Sequence, residues 1–221
     1  MFWNCQNITS TPNLPATTLA DHCYTNMFQD CFSLIEITEL PATILTDNCY
    51  DAMFRNCTSL IYAPNLPATT LTPYCYRLMF SGCLNLEETP ELPATTLTPH
   101  CYLAMFSYCS KITEAPELPA ENLADYCYHS MFHSCSRLVN TPELSATTLA
   151  DYCYTEMFRN CGSLIEATEL QATTLASHCY ESMFRNCISL TEIMSELPAT
   201  TLTDYCYNGM FAECTSLTET P

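Results

Sequence analysis

The sequence predicts an α/β repeat solenoid, a right-handed superhelix whose 26-residue coils each carry one short helix and one short strand or extended segment. Three observations lead there. The string LPATTL, or a close variant, begins at Leu14, Leu40, Leu66, Leu92, Leu118, Leu144, Leu170 and Leu197, a step of 26 residues that lengthens to 27 only at the last. A second block, CYxxMFxxC, recurs in phase with it, as in Cys23-Tyr24-Thr25-Asn26-Met27-Phe28-Gln29-Asp30-Cys31. No linker or shift of composition interrupts the array, so residues 1–221 are expected to form a single solenoid domain of about eight repeats. Met1 to Cys5 is the back half of a CYxxMFxxC block, and Cys214 to Pro221 stops just before another LPATTL. Neither end looks like a polar cap, and the expectation is a segment of a longer array.

The helix comes first in each coil. The position after TL(A/T) holds Asp21, Asp47, Pro73, Pro99, Asp125, Asp151, Ser177 and Asp204, residues that start helices because the first turn lacks partners for its N–H groups. The residue before the second Cys is Asp30, Asn56, Gly82, Asn160 or Asn186 in five copies, and these types tolerate the left-handed conformation that ends helices. A helix over about residues 21–29 follows, repeated in every coil. Within it Cys23, Tyr24, Met27 and Phe28 form a core-facing stripe at ~100° per residue. The pairs between them, such as Thr25-Asn26, Asp51-Ala52, Arg77-Leu78 and His129-Ser130, vary freely and are expected on the solvated face.

The strand follows. CxSLxEA places Leu34 and Ile37 inward, but Pro64, Pro90, Pro116, Pro142 and Pro221 recur just beyond. Proline cannot donate to a central ladder, so the parallel sheet is expected to be very short, with polyproline-like segments beside it.

The order LP…L…Y…F-x-x-C-x-x-L resembles the BspA-like leucine-rich-repeat family of bacterial and protist surface proteins, across essentially the whole chain. This chain departs from that pattern as a Cys-rich variant, in which an added turn supplies CYxx before MFxxC. The resemblance implies a curved leucine-rich-repeat-like solenoid, a role in adhesion or surface recognition, an extracellular or cell-surface location and no catalytic residues. The N-terminus, MFWNCQNITS, shows no basic segment followed by an apolar one, so no signal peptide is visible here.

The 17 cysteines fall in two columns, Cys23 to Cys206 and Cys5 to Cys214. Across a helix the two columns would stand roughly 12 Å apart at 1.5 Å per residue, too far for a disulfide. The first column, on helices packed ~8–10 Å apart, would also be unable to pair along its length. Pairing within the second column is geometrically allowed at the ~4.8 Å spacing of a sheet. Reduced, buried thiols are the favoured reading, ahead of inter-coil disulfides, with zinc last because no CxxC pair occurs.

Six basic against 24 acidic side chains give a net charge of −18. That balance excludes a nucleic-acid binder, which needs a basic stripe, and argues against docking on anionic lipid. No run approaches ~20 apolar residues, so membrane insertion is not expected. His22, His100 and His178 precede the first Cys, and His129 and His133 sit in variable slots; all five are read as surface residues rather than catalysts. An enzyme would break its own repeat at the active site, and this array is nearly uniform. No catalytic, cofactor or metal site is therefore expected.

The candidate site is acidic. Glu36, Glu88, Glu114, Glu166, Glu192 and Glu219 occupy one column, and Glu39, Glu91, Glu117, Glu143, Glu169 and Glu196 another. Stacked like charges repel, and the bland interpretation is a screened edge that keeps the solenoid soluble. The functional interpretation is a stripe that steers a basic protein, or more weakly Ca²⁺. The expected function is a non-enzymatic recognition or adhesion module for a protein or glycan ligand. The alternative is a structural spacer, stalk or filament subunit, with end-to-end self-association through its open ends.

Overall fold

The computed structural model describes every residue from Met1 to Pro221. Each coil stacks on the next, and its longest segment runs through the CYxxMFxxC block. That segment is not a helix. Residues of the left-handed region recur at every fourth position, His22, Asn26 and Asp30 in the first full coil and Tyr152, Glu156 and Asn160 in the sixth. An α-helix cannot contain them, since its residues all share one negative-φ conformation.

The hydrogen bonds show what replaces it. Odd-numbered amides close local turns, Cys23 N on Ala20 O, Met27 N on Tyr24 O and Cys31 N on Phe28 O. The third residues of these turns are His22, Asn26 and Asp30, which matches the type II turn with its positive φ at that place. Even-numbered amides point along the solenoid axis instead. Tyr24 N donates to Cys49 O at 3.0 Å, Asn26 N to Asp51 O, Phe28 N to Met53 O and Asp30 N to Arg55 O, the last three at 2.9 Å. The segment is a ribbon of linked turns, and every second peptide bonds it to the next coil.

The expected strand shrinks to single-residue parallel bridges. One column joins Ser10 to Glu36, Tyr62 to Glu88, Asn140 to Glu166 and Glu166 to Glu192; another joins Thr18 to Ile44, Thr96 to Asn122 and Thr148 to Thr174. Pro64, Pro90 and Pro142 stand two residues beyond Tyr62, Glu88 and Asn140, where a missing N–H prevents the ladder from extending.

One hydrophobic core runs from Leu14 to Met210. Two aromatic columns form its spine. Tyr24 to Tyr207 stack with ring centroids 5.7–5.8 Å apart. Phe2 to Phe211 stack at 5.2–5.8 Å. The 27-residue step does not break them, because the extra length is taken up around Met194, which is 1% exposed. Stacking one ring type on itself in every coil is what a fixed repeat length makes available to a solenoid.

Two further sequence expectations change with the ribbon. The variable pairs are mostly not on a solvated face: Asp51, Ala52, Ala104, Thr155 and Ser182 are buried and the others half-buried, except Asn208 and Gly209 in the last coil, which are exposed. The first thiol column is not held apart by helix packing either. Its coils are joined backbone to backbone at Tyr24 N–Cys49 O, so the geometric bar to pairing disappears. All 17 cysteines are free thiols, and only Cys5, Cys23 and Cys214 are not buried.

Candidate functional site

The acidic columns lie along one corner of the solenoid, after the bridge residues and before LPATTL. Glu36, Glu88, Glu114, Glu166 and Glu192 are all exposed, as are Glu39, Glu91, Glu117, Glu143 and Glu169. The corner is concave. A hollow of about 530 Å³ is lined by Pro90, Glu91, Pro93, Pro116, Glu117 and Pro119 with Thr89 and Leu92. A second of about 500 Å³ adjoins it toward Tyr62, Asn65, Pro67 and Glu88, and a third of about 420 Å³ toward Pro142, Glu143 and Ser145. A smaller one holds Glu143 and Glu166 with Asn140, Thr141 and Thr168. Shared lining residues (Pro90, Glu91, Pro116, Glu117, Glu143) join these hollows into one groove across coils two to six. Proline walls make it stiff, because each fixes its own φ and that of the residue before it.

The structure therefore brings Glu88, Glu91, Glu117, Glu143 and Glu166 to the groove. It leaves Glu36, Glu39, Glu114, Glu169 and Glu192 outside it, on the same columns. None of the ten forms an ion pair. Four of the six Lys and Arg side chains are paired elsewhere: Arg77 on Asp51 at 2.6 Å, Lys111 on Glu87 at 3.3 Å, Arg185 on Glu213 at 2.6 Å and Arg159 on Glu156. The groove carboxylates carry no ion pair, so their negative charge is open to a partner.

The thiols offer no comparable chemistry. In the second column each Sγ donates to a phenylalanine carbonyl one coil back, Cys57 to Phe28 O, Cys83 to Phe54 O and Cys109 to Phe80 O, at 3.1–3.2 Å. Burial pushes Cys83, Cys101 and Cys135 up to about 12. Protonated thiols are poor nucleophiles and poor metal ligands at neutral pH. No three His, Cys, Asp or Glu side chains converge with metal-ligand spacing. No helix is long and apolar enough to cross a membrane.

A second surface was not foreseen. The first left-handed position of each ribbon holds Tyr74, His100, Tyr126, Tyr152, His178 and Tyr205, whose rings stack continuously with centroids 4.4–4.7 Å apart. The guanidinium of Arg77 sits 5.1 Å from the centroid of Tyr74. Between its two end rings the faces are closed by neighbours and only edges reach solvent, while Tyr205 at one end is 61% exposed. A signal was present in the sequence: the slot before the first Cys holds nothing but His, Asn and Tyr.

Beside the ladder lies a polar seam in coils five to seven. Glu156 is its hub, accepting from Arg159 and from Ser130 Oγ at 3.4 Å, with its Oε2 3.6 Å from Nδ1 of His133. Burial keeps His129 and His133 below the ordinary histidine value, despite the Glu156 carboxylate, which pulls both the other way. A separation of 3.6 Å is too long for a hydrogen bond, which agrees with a neutral ring rather than a salt bridge. In coil seven, burial would raise Glu181, but hydrogen bonds from His178 and Asn208 outweigh it and hold the carboxylate low.

No model of a known family matches the sequence, and no curated protein matches it either. Among solved structures, a leucine-rich repeat protein from Bacteroides ovatus is similar at 17% identity over 97% of this chain and 84% of its own, with a TM-score of 0.37. That superposition is too loose to carry residue roles from one chain to the other.

Proposed function

We propose that this chain is a non-enzymatic recognition module of leucine-rich-repeat type, working at a cell surface, that takes a basic protein partner along the acidic, proline-walled groove. The observation that carries the reading is the exposed double column of carboxylates over a preformed groove, with every ion-paired cation placed elsewhere. A stiff groove loses little entropy on binding, and uncompensated charge steers and orients an oppositely charged partner. A protein is favoured over a neutral glycan because the groove's unpaired carboxylates call for cationic groups, which lysine and arginine side chains supply. The uniform repeat and the protonated thiols support a non-catalytic role.

The test separates the groove from bulk charge. The probe is a lysine-rich peptide, its affinity measured by titration at several salt concentrations. Replacing Glu91, Glu117 and Glu143 together by Gln is expected to weaken it by roughly tenfold or more and to flatten the salt dependence. Replacing Asp21, Asp47 and Asp125 by Asn removes the same charge from another face and is expected to cost about twofold or less. Equal losses from the two sets would reduce the groove to a solvated edge.

A further inference from the structure

We propose that His129, His133, Glu156 and Arg159 form an acid-sensitive clasp between coils five and six, closed while both rings are neutral and released when they take up protons. Three geometric facts support it. Nε2 of His133 lies 3.4 Å from Nδ2 of Asn160, an amide that can only donate, so the ring must accept at Nε2. A proton on Nε2 would set donor against donor. It would also disturb a ladder, since Asn160 bonds Ser134 Oγ at 3.3 Å and accepts from Asn186 at 3.0 Å. Nδ1 of His129 and Nδ1 of His133, the latter carrying the neutral ring's N–H, are buried without a hydrogen-bond partner, so neither ring has the full set of partners that a buried imidazolium needs.

The surrounding charges are mixed, Glu156 and Glu181 attracting a proton to the rings and Arg159 and the neighbouring imidazoles opposing it, so release rests on burial and on the hydrogen bonds lost. His133 faces Glu156, Arg159, Asn160 and the tilted ring of Tyr108, 5.3 Å away. His129 faces Glu156, Glu181, His100, His133 and the ring of Tyr126, 5.7 Å away. Glu156 is already bound by Arg159, and Glu181 by His178 and Asn208. Two new cations would therefore meet Arg159 across carboxylates that are already engaged. The element they bias is the set of amides that join the coils there: Ser130 N to Thr155 O, Phe132 N to Met157 O and Ser134 N to Arg159 O, at 2.8–2.9 Å.

The sign follows from linkage. Each ring binds its proton more readily in the open state than in the closed one. Closure therefore suffers no penalty above the ordinary histidine value of about 6.5 and weakens as pH falls below it. Native-state hydrogen exchange of the Ser130, Phe132 and Ser134 amides at pH 7.5 and pH 5, normalised to Phe54 in coil two, reads the clasp directly. Wild-type protection is expected to fall by up to roughly thirtyfold for each histidine, and the His129→Gln/His133→Gln double variant to keep its protection. The same loss in both proteins would overturn the proposal. Ring titration of the five histidines of the wild type by NMR needs no variant. Midpoints of His129 and His133 below that of the exposed His22 support the clasp, and midpoints at or above it overturn it.

Discussion

A single atom position decides whether one coil fits on the next at Gly82. Its φ is +76°, and a Cβ there would fall inside contact distance of Asn56 Oδ1. The Asn56 amide lies over that space because its Nδ2 donates to Asp30 Oδ1 at 2.7 Å, tying coils one and two together. The backbone angle alone is not the obstacle, since Asn56 and Asn160 hold the same ribbon position at φ of 61° and 63°. Gly82→Ala should therefore push the Asn56 amide off Asp30 and cost about 1–3 kcal/mol in denaturant unfolding. In an Asn56→Ala background the same change should cost much less, because the atom it strikes is gone. Additive losses in that cycle would place the penalty in the backbone instead.

At the scale of the element, the turn ribbon and an α-helix make similar demands on sequence. Cys23, Tyr24, Met27 and Phe28 are spaced one, three and one apart, and both a 3.6-residue and a 4-residue period bring them to one side. What separates the two is the left-handed residue at every fourth position. Asn, Asp and Gly announce it at Asn26, Asp30, Asn56 and Gly82, yet Tyr74, Leu78 and Glu156 adopt it with no such signal. Asp30 carries the sequence signal of a helix end, and its left-handed conformation (φ 61°) is the part of that signal the ribbon retains. The inter-coil bonds that outweigh local helix formation belong to no single repeat, and a one-coil argument misses them. The inward stripe, the proline-shortened bridges and the acidic columns were legible because each depends only on period. The groove and the histidine seam were not, because they depend on how neighbouring coils face one another. Far-UV circular dichroism of the folded chain should accordingly lack the helical double minimum, and a helix-like spectrum would refute the ribbon.

Over the whole molecule, the repeat multiplies one small protonation preference many times. Fourteen of the 17 cysteines are buried, and burial raises thirteen of these above the ordinary thiol value, among them Cys49 and Cys179 to about 11 and Cys83, Cys101, Cys135 and Cys187 to about 12. A raised folded-state value means the fold holds the proton that the unfolded chain gives up. The contribution is complete below the unfolded thiol value of about 8.5 and is lost as pH climbs from there toward 11–12. One pH unit above the unfolded value, each such thiol favours the open chain by about 1.4 kcal/mol. A dozen of them together would match or exceed the roughly 5–15 kcal/mol that holds an ordinary domain folded. Buried tyrosines such as Tyr76 and Tyr102, also raised by burial, add to the trend only above about pH 10. The solenoid should therefore melt progressively earlier from pH 8.5 and unfold at room temperature near pH 10, as followed by thermal scans with thiolate absorbance as a second signal. Thiolate from the fourteen buried cysteines should appear together with unfolding rather than before it, because the core admits the charge only when the coils come apart. Thiolate absorbance at pH 9 in a still-folded chain that exceeds what Cys5, Cys23 and Cys214 can supply would mean that the cysteine columns are open to solvent, contrary to their burial.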